Sequence, residues 1–152
     1  MNTKKKDFLW LIGVIILLII IIIILIKLSS QPKLAKVCFK NNCFQTIIAR
    51  TPVEMAKGLM NQHVDKNGGM LFVFKTPVSD KFWMKNTLEP LDIIWLNKNK
   101  QVIFISKNTP ICENDPCPNY GTEQKSLYVL EIKGGTADQI GLNIGDKLEF
   151  SL

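Results

Sequence analysis

The residues best suited to chemistry lie close together in the segment Phe82–Asp92. Trp83 offers a flat apolar ring, Lys85 and Asn86 offer hydrogen-bond donors, and Thr87 offers a hydroxyl group. A planar ring beside hydrogen-bonding side chains is a common arrangement for holding sugars and similar polar ligands. The segment therefore predicts a ligand-binding site. The alternative is structural, with Trp83 in the core and Asn86 in a turn.

Asp92 adds a carboxyl group at the start of the apolar run that ends at Leu96. A buried carboxylate is costly unless it is paired or hydrogen-bonded. One interpretation is a structural ion pair, for which Lys85 is the nearest basic residue in the sequence. The other interpretation places Asp92 in the ligand site.

The candidate catalytic residues are Asp92, Glu131 and His63. Glu131 alternates away from Leu130, so it faces either solvent or the same cleft as Asp92. Two carboxyl groups at one cleft can act as general acid and base. His63 is the single histidine and is predicted to be a surface loop residue. No complete catalytic set is evident, so a binding module is favoured over a hydrolase.

Four methionines raise a second alternative, because thioethers can hold Cu(I). They are Met55, Met60, Met70 and Met84. Methionine more often fills irregular space in a hydrophobic core. No cofactor and no metal are therefore predicted, and copper binding is kept as an alternative function.

The four cysteines occur in two pairs with the same spacing, Cys38 with Cys43 and Cys112 with Cys117. Outside the cytoplasm such pairs usually form disulfides. Four cysteines allow three connectivities, of which local pairing is the simplest. A zinc site is the competing interpretation, but it normally has two-residue spacings.

The N-terminal segment is organised for a membrane. Phe8–Ile26 is an uninterrupted apolar run, long enough to cross a bilayer, and Lys4, Lys5 and Lys6 precede it. The bias of positive residues toward the cytoplasm predicts a single-pass anchor with its N-terminus inside. A cleaved signal peptide is the alternative, although Lys27–Gln31 forms a poor cleavage site. We expect residues 1–31 to form the tip, anchor and linker start, and residues 32–152 to form an extracytoplasmic domain.

The charge of the chain limits its partners. The net charge is +6, of which residues 1–31, with four lysines and one aspartate, carry +3. The remaining domain is only mildly basic and has no run of lysine and arginine, so nucleic acid is not a predicted partner. An envelope saccharide or another protein is the expected partner.

The chain in order reads as many short strands with two short helices. Strands are predicted at Val37–Phe39, Phe44–Ala49, Met70–Phe74, Phe82–Met84, Leu91–Leu96, Val102–Ser106, Tyr128–Ile132 and Lys147–Leu152. Asn41-Asn42 is the expected hairpin tip. Thr51, Pro52 and Glu54 predict a capped helix that ends near Met60. The pattern is typical of a mainly β fold, a compact barrel or sandwich.

Six short motifs resemble one protein family. They are Gly58-Leu59-Met60, Gly69-Met70-Leu71-Phe72, Phe82-Trp83-Met84-Lys85-Asn86-Thr87, Pro90-Leu91-Asp92, Val129-Leu130-Glu131 and Gly145-Asp146. The chain is similar over about residues 44 to 150 to the domain of unknown function 192 family, small prokaryotic proteins that often carry an export signal or anchor. The resemblance implies a compact β-rich fold and no settled activity.

One position departs from this family. Relatives commonly place a basic residue, often arginine, shortly after the glycine-leucine-methionine triplet, where this chain has Asn61-Gln62-His63. If the basic residue binds a ligand in relatives, Gln62 or His63 must replace it here, or the function has changed.

Overall fold

The computed structural model describes residues 3–29 and 31–152 of the chain. Met1 and Asn2 of the expected cytoplasmic tip, and Ser30 of the weak cleavage segment, lie outside the described residues. The chain divides into two units, Met1–Pro32 and Lys33–Leu152.

The N-terminal unit is one apolar helix, α1, at Thr3–Ser29. Its stretch Leu9–Leu28 is 20 residues long with a mean hydropathy of 3.7, and these side chains are not buried against protein. At 1.5 Å per residue, 20 residues match the thickness of a bilayer core. The predicted apolar helix is thus confirmed, and its length and composition are those of an anchor or a signal sequence.

The second unit is mainly β, as the sequence predicts. Its strands are β1 Leu34–Phe39, β2 Asn42–Ala49, β3 Gly68–Val78, β4 Phe82–Trp83, β5 Leu91–Leu96, β6 Val102–Thr109, β7 Asn119–Tyr120 and β8 Ser126–Lys133. Six strands form a mixed sheet in the order β1-β2-β3-β8-β5-β6, while β4 and β7 form a separate pair. Only the β2–β3 pair of the mixed sheet is parallel.

The mixed sheet separates two hydrophobic cores. One core contains Ala137 of the short helix α3, Thr136–Ile140, and is named the α3-side core; it also includes Val37, Leu71, Ile94 and Leu130. The other core lies on the face of the sheet that carries a small cleft and is named the cleft-side core; it includes Leu59, Met70, Phe72, Trp95 and Val129. Neighbouring residues of the central strands alternate between the two cores, which is why β3 and β5 read as continuous apolar runs.

The domain also contains two short helices. Helix α2 is Pro52–Lys57. The predicted capping box at its start is formed by Thr51 and Glu54, and Glu54 Oε2 accepts a hydrogen bond from the Thr51 amide at 2.8 Å. The expectation that this helix reaches Met60 is wrong. Gly58 has φ 49° and ψ −138°, a backbone conformation suited to glycine, and it ends the helix. The other helix, α3, is Thr136–Ile140.

The expected barrel or sandwich is not confirmed, because continuous strand pairing does not close the mixed sheet. The predicted closing strand Lys147–Leu152 is instead an extended segment with isolated bridges, Glu149 to Cys38 on β1 and Lys147 to Gln101 before β6. These bridges give hydrogen-bond partners to some backbone groups at the two edges of the sheet. They do not form a regular strand.

Both predicted disulfides are present, Cys38–Cys43 and Cys112–Cys117. Cys38 and Cys43 lie directly opposite each other in the β1–β2 hairpin. The expected tip at Asn41-Asn42 is wrong by one residue, because Asn42 already pairs with Phe39 and the turn is Lys40-Asn41. The segment between β6 and β8 contains β7, which pairs with β4.

Candidate functional site

Asp92 is a fully buried carboxylate that is held by backbone amides. Its Oδ1 accepts from the amides of Asn108 at 2.6 Å and Gly135 at 3.0 Å, and its Oδ2 accepts from Ala137 at 2.6 Å. Because Gly135 cannot cap α3 with a side chain, the Asp92 carboxylate performs this function from β5. The hypothesis of an ion pair with Lys85 is wrong, since Lys85 pairs with Asp115. In the interior, three amides replace a cation as partners of Asp92.

Asp92 and Glu131 are neighbours in the sheet but project from opposite faces. Asp92 pairs with Ile132, and Glu131 lies opposite Ile93 and Met70. Directly opposite residues share a face, so Asp92 faces the α3-side core and Glu131 faces the cleft-side core. The structure does not bring these two carboxyl groups into one cleft.

Glu131 is the unusual carboxyl group of the domain. It is 5% exposed. Within residues 31–152, no described group makes a hydrogen bond or ion pair with its side chain. Burial raises its pKa to about 8 from an ordinary value of 4.5. A buried and unpaired carboxyl group with a strongly raised pKa is a common mark of a functional site.

Glu131 lines a small cleft, here named the Glu131 cleft. Its volume is about 30 Å³, room for about two water-sized groups. The other lining residues come from the end of α2, from the following triplet, from aromatic side chains, and from the predicted ligand segment: Met55, Ala56, Lys57, Gly58, Leu59, Met60, Phe72, Phe82, Trp83, Lys85 and Thr87. Three of the five predicted ligand-binding residues, Trp83, Lys85 and Thr87, therefore meet Glu131 at one place.

Backbone contacts hold the two walls of the cleft together. The Asn61 amide donates to the Asn86 carbonyl at 2.8 Å, which joins the triplet Gly58-Leu59-Met60 to the segment that carries Trp83. The Thr87 hydroxyl donates to the Met84 carbonyl at 2.8 Å, and Asn86 has φ 55°. Asn tolerates a positive φ at the third position of a turn. Asn86 is thus exposed in a turn and does not line the cleft.

The second disulfide supports the rim of the cleft. The Cys112 amide donates to the Met84 carbonyl at 3.3 Å, and Asn119 of β7 pairs with Trp83. Within the disulfide loop, Asp115 Oδ2 lies 2.7 Å from Lys85 Nζ, which in turn stands 5.7 Å from the centre of the Trp83 ring. Trp83 itself is 47% exposed, so its ring is a surface feature and not a core residue.

Aromatic packing anchors this rim to the sheet. Phe82, the neighbour of Trp83, contacts Phe72 and Trp95 edge-on, with ring centres 4.8 and 5.7 Å apart. Such edge-to-face pairs stabilise packing by about 0.5–1.5 kcal/mol beyond area burial. The alternation along β4 therefore turns the partly buried Phe82 toward the cleft-side core and leaves Trp83 at the surface.

His63 and Gln62, the residues that depart from the family pattern, lie away from the lining of the cleft. The His63 side chain is 82% exposed, and its Nδ1 is 3.6 Å from Glu89 Oε1. Lys133 and the Val64 amide hydrogen-bond to Glu89 and lower its pKa. The Gln62 amide group donates to the Gly58 carbonyl at 3.1 Å. In this structure Gln62 stabilises the backbone beside the cleft.

The four methionines are divided between the core and the cleft. Met70 and Met84 are buried in the cleft-side core, at 5% and 1% exposure. Met55 and Met60 line the cleft. Two of the four thioethers thus serve as core filler, the commoner use of methionine.

The described residues also contain a wider concavity of about 640 Å³ between β1 and the C-terminal segment. Lys36, Lys100 and Lys147 line it. The Lys100 ammonium is already bound by the Phe150 carbonyl at 2.6 Å. None of the predicted site residues lies there, apart from the disulfide residue Cys38.

The sequence alone did not predict that α2 and the triplet Gly58-Leu59-Met60 line the cleft. Ala56 and Lys57 have no unusual sequence signal, since they read as ordinary residues of an exposed helix. The triplet Gly58-Leu59-Met60 was visible only as a motif of the resembled family. Its position beside Trp83 depends on tertiary packing.

Comparisons with known proteins agree with these motifs. Residues 35–150 match the family model DUF192, described as "Uncharacterized ACR". No curated protein matches significantly. A crystal structure of a protein of unknown function from Novosphingobium aromaticivorans is 34% identical, with a TM-score of 0.69, over 78% of this chain and 85% of that chain. A Sinorhizobium meliloti protein, whose description suggests a transcription regulator, is 26% identical with a TM-score of 0.69, over 79% and 94% of the two chains. This chain therefore belongs to the domain of unknown function 192 family.

Proposed function

We propose that this protein is a membrane-anchored, extracytoplasmic module that binds an envelope saccharide at the Glu131 cleft. One observation carries the proposal: a largely buried carboxyl group, to which no group of residues 31–152 hydrogen-bonds, faces a cleft whose rim holds the half-exposed ring of Trp83. Buried polar groups are normally hydrogen-bonded, so a ligand that bonds to Glu131 would remove a cost of the free protein. A sugar supplies both hydroxyl groups for Glu131 and an apolar face for Trp83.

Two observations support the proposed position of the domain outside the cytoplasm. The apolar stretch Leu9–Leu28 of α1 has the length of a membrane span and follows Lys4, Lys5 and Lys6. The two disulfides are typical of an oxidising compartment. We infer a cytoplasmic N-terminus and an external domain. Protease added to intact cells should then degrade residues 32–152, and the intact mass of membrane-extracted protein should include the helix. A soluble protein that lacks the helix would instead identify a signal peptide.

The binding test is a glycan array probed with the full chain in detergent. We expect wild type to bind at least one envelope saccharide, and Trp83→Ala to weaken binding at least about tenfold, as is usual for aromatic anchors. Leu88→Ala is the matched control, because Leu88 is 45% exposed in the same segment and does not line the cleft. Equal losses in both variants, or no binding by wild type, would contradict the saccharide proposal.

A protein partner is the other ligand class that this surface suits. A photo-reactive amino acid at position 83, in living cells, distinguishes the two. Discrete high-mass adducts that resist glycosidase treatment would support a protein partner, and heterogeneous adducts sensitive to it would support a saccharide. The same substitution at position 88 is the control for non-specific capture.

A hydrolase that uses Glu131 is the second candidate function. The raised pKa favours it, because a carboxyl group that stays protonated near neutral pH can serve as a general acid. Glycoside hydrolysis usually needs a second carboxylate within about 10 Å on the same cleft. Asp92 does not supply it, since it faces the α3-side core. Release of the aglycone from chromogenic glycosides by wild type, and its loss in Glu131→Gln, would support catalysis.

A further inference from the structure

We propose that the Glu131 cleft recognises the exocyclic hydroxymethyl arm of a hexopyranoside, and so selects hexoses over the pentoses that lack this arm. This inference rests on the proposed saccharide function. It adds a specificity-determining residue, Glu131, and a ligand class.

The size of the cleft supports an arm and excludes a whole ring. A volume of about 30 Å³ takes two water-sized groups. A hydroxymethyl group has two heavy atoms, whereas a pyranose ring has six before its substituents are counted. The sugar ring would therefore stay outside the cleft, where the half-exposed Trp83 ring offers an apolar face.

The chemistry of the lining favours an uncharged arm. Leu59, Phe72 and Phe82 present apolar surface suited to a methylene group. A protonated Glu131 carboxyl group offers one donor and one acceptor, and a hydroxyl group can satisfy both at once. A carboxylate arm, as in a uronic acid, would have to leave water for this apolar lining. An ammonium arm would enter between Lys57 and Lys85, which both line the cleft.

The rim is arranged to hold the ring above the arm. The Lys85 ammonium group is held by Asp115 at 2.7 Å and stands 5.7 Å from the centre of the Trp83 ring. A sugar that lies beside Trp83 would therefore meet a positioned donor for its ring hydroxyls. The arm and the ring would be recognised by different residues, which makes the two contributions separable by mutation.

The experiment compares sugars that differ only in the arm. The full chain in detergent is tested by calorimetry and on an array against matched pairs: gluco with xylo, galacto with L-arabinopyranosyl, and manno with lyxo oligosaccharides. We expect at least about tenfold tighter binding of the hexose member in the bound pair. Glu131→Gln should keep the preference, because an amide also donates and accepts. Glu131→Met should reduce hexose affinity to the pentose level.

A second variant leaves Glu131 intact. Ala56 lines the cleft from an exposed position of α2, so Ala56→Leu should fold and should narrow the cleft. We expect it to remove the hexose preference, because the narrowed cleft no longer admits the hydroxymethyl arm. Equal binding of hexose and pentose by wild type would overturn this inference and leave the proposed function standing. Binding of neither member of any pair would overturn both.

Discussion

The replacement of Glu131 by glutamine should change the pH dependence of stability. Glu131 is 5% exposed, and its pKa rises to about 8 in the folded protein from an ordinary value of 4.5. Below pH 4.5 both folded and unfolded states hold the proton, so Glu131 contributes no pH dependence. Between pH 4.5 and 8 the unfolded state releases the proton and the folded state retains it, so stability falls as pH rises. Above pH 8 the loss is complete.

The size of this effect follows from the difference between the two pKa values. At about 1.4 kcal/mol per pKa unit, the change from 4.5 to about 8 corresponds to about 5 kcal/mol. Water that enters the cleft reduces this value, so we treat it as an upper limit. Glutamine has nearly the same shape and no charge. Glu131→Gln should therefore match wild type near pH 4.5 and exceed its free energy of unfolding by about 2–5 kcal/mol at pH 9.

The assay is thermal unfolding of wild type and Glu131→Gln between pH 4.5 and 9.5, followed by circular dichroism in detergent. A gain of 2–5 kcal/mol in a domain of this size raises the melting temperature by roughly 8 °C or more at the alkaline end. Glu149→Gln is the control, because Glu149 is an exposed carboxyl group. A difference between wild type and Glu131→Gln that stays constant with pH would refute the reasoning.

Three further predictions concern the supports of the site. Asp92→Asn should lower the free energy of unfolding by on the order of 3 kcal/mol at pH 7, because an amide cannot accept from all three amides that Asp92 binds; a melting curve with Asp138→Asn as exposed control measures it. An unchanged midpoint would contradict the structural role of Asp92. Gly69→Ala should lower the free energy of unfolding by on the order of 2 kcal/mol, because a Cβ at position 69 would overlap the Glu131 carbonyl and separate β3 from β8. Gly68→Ala should lower it less. Similar losses for the two variants in urea unfolding would contradict this prediction. Replacing either disulfide by serines should lower the free energy of unfolding by about 2 kcal/mol. Only the loss of Cys112–Cys117 should also weaken saccharide binding, because its loop holds Lys85. Equal binding by both variants would show that the loop does not position the rim.

The sequence predicted the strands well where local patterns decide them. Leu91–Leu96 was predicted with its observed bounds, and the alternation of Tyr128, Leu130 and Ile132 against Val129 and Glu131 was confirmed. The predicted boundaries were wrong at the ends of helices and strands, where a few residues decide where the element stops. The positive φ of Gly58 ends α2 early, and β3 extends to Val78, beyond the predicted end of the strand at Phe74.

The site could be predicted only in part, because its two halves come from distant parts of the chain. Trp83, Lys85 and Thr87 were chosen for their chemistry, and they do line one cleft. Nothing local places them beside Glu131. That meeting requires β8 to lie next to β3, with β4 packed over the same face through Phe82 and Phe72.

The contrast between Asp92 and Glu131 separates a structural carboxyl group from a candidate functional one. Both are buried in the sheet, and their sequence contexts are equally apolar. Three amides compensate the charge of Asp92, so the fold itself accounts for its presence. Glu131 has no compensation from any described residue of 31–152, and an apolar residue there would remove the cost of burying it. A carboxyl group without a protein partner in the lining of a cleft is expected when its partner is a ligand, and this is the physical basis of the proposal that a ligand binds at Glu131.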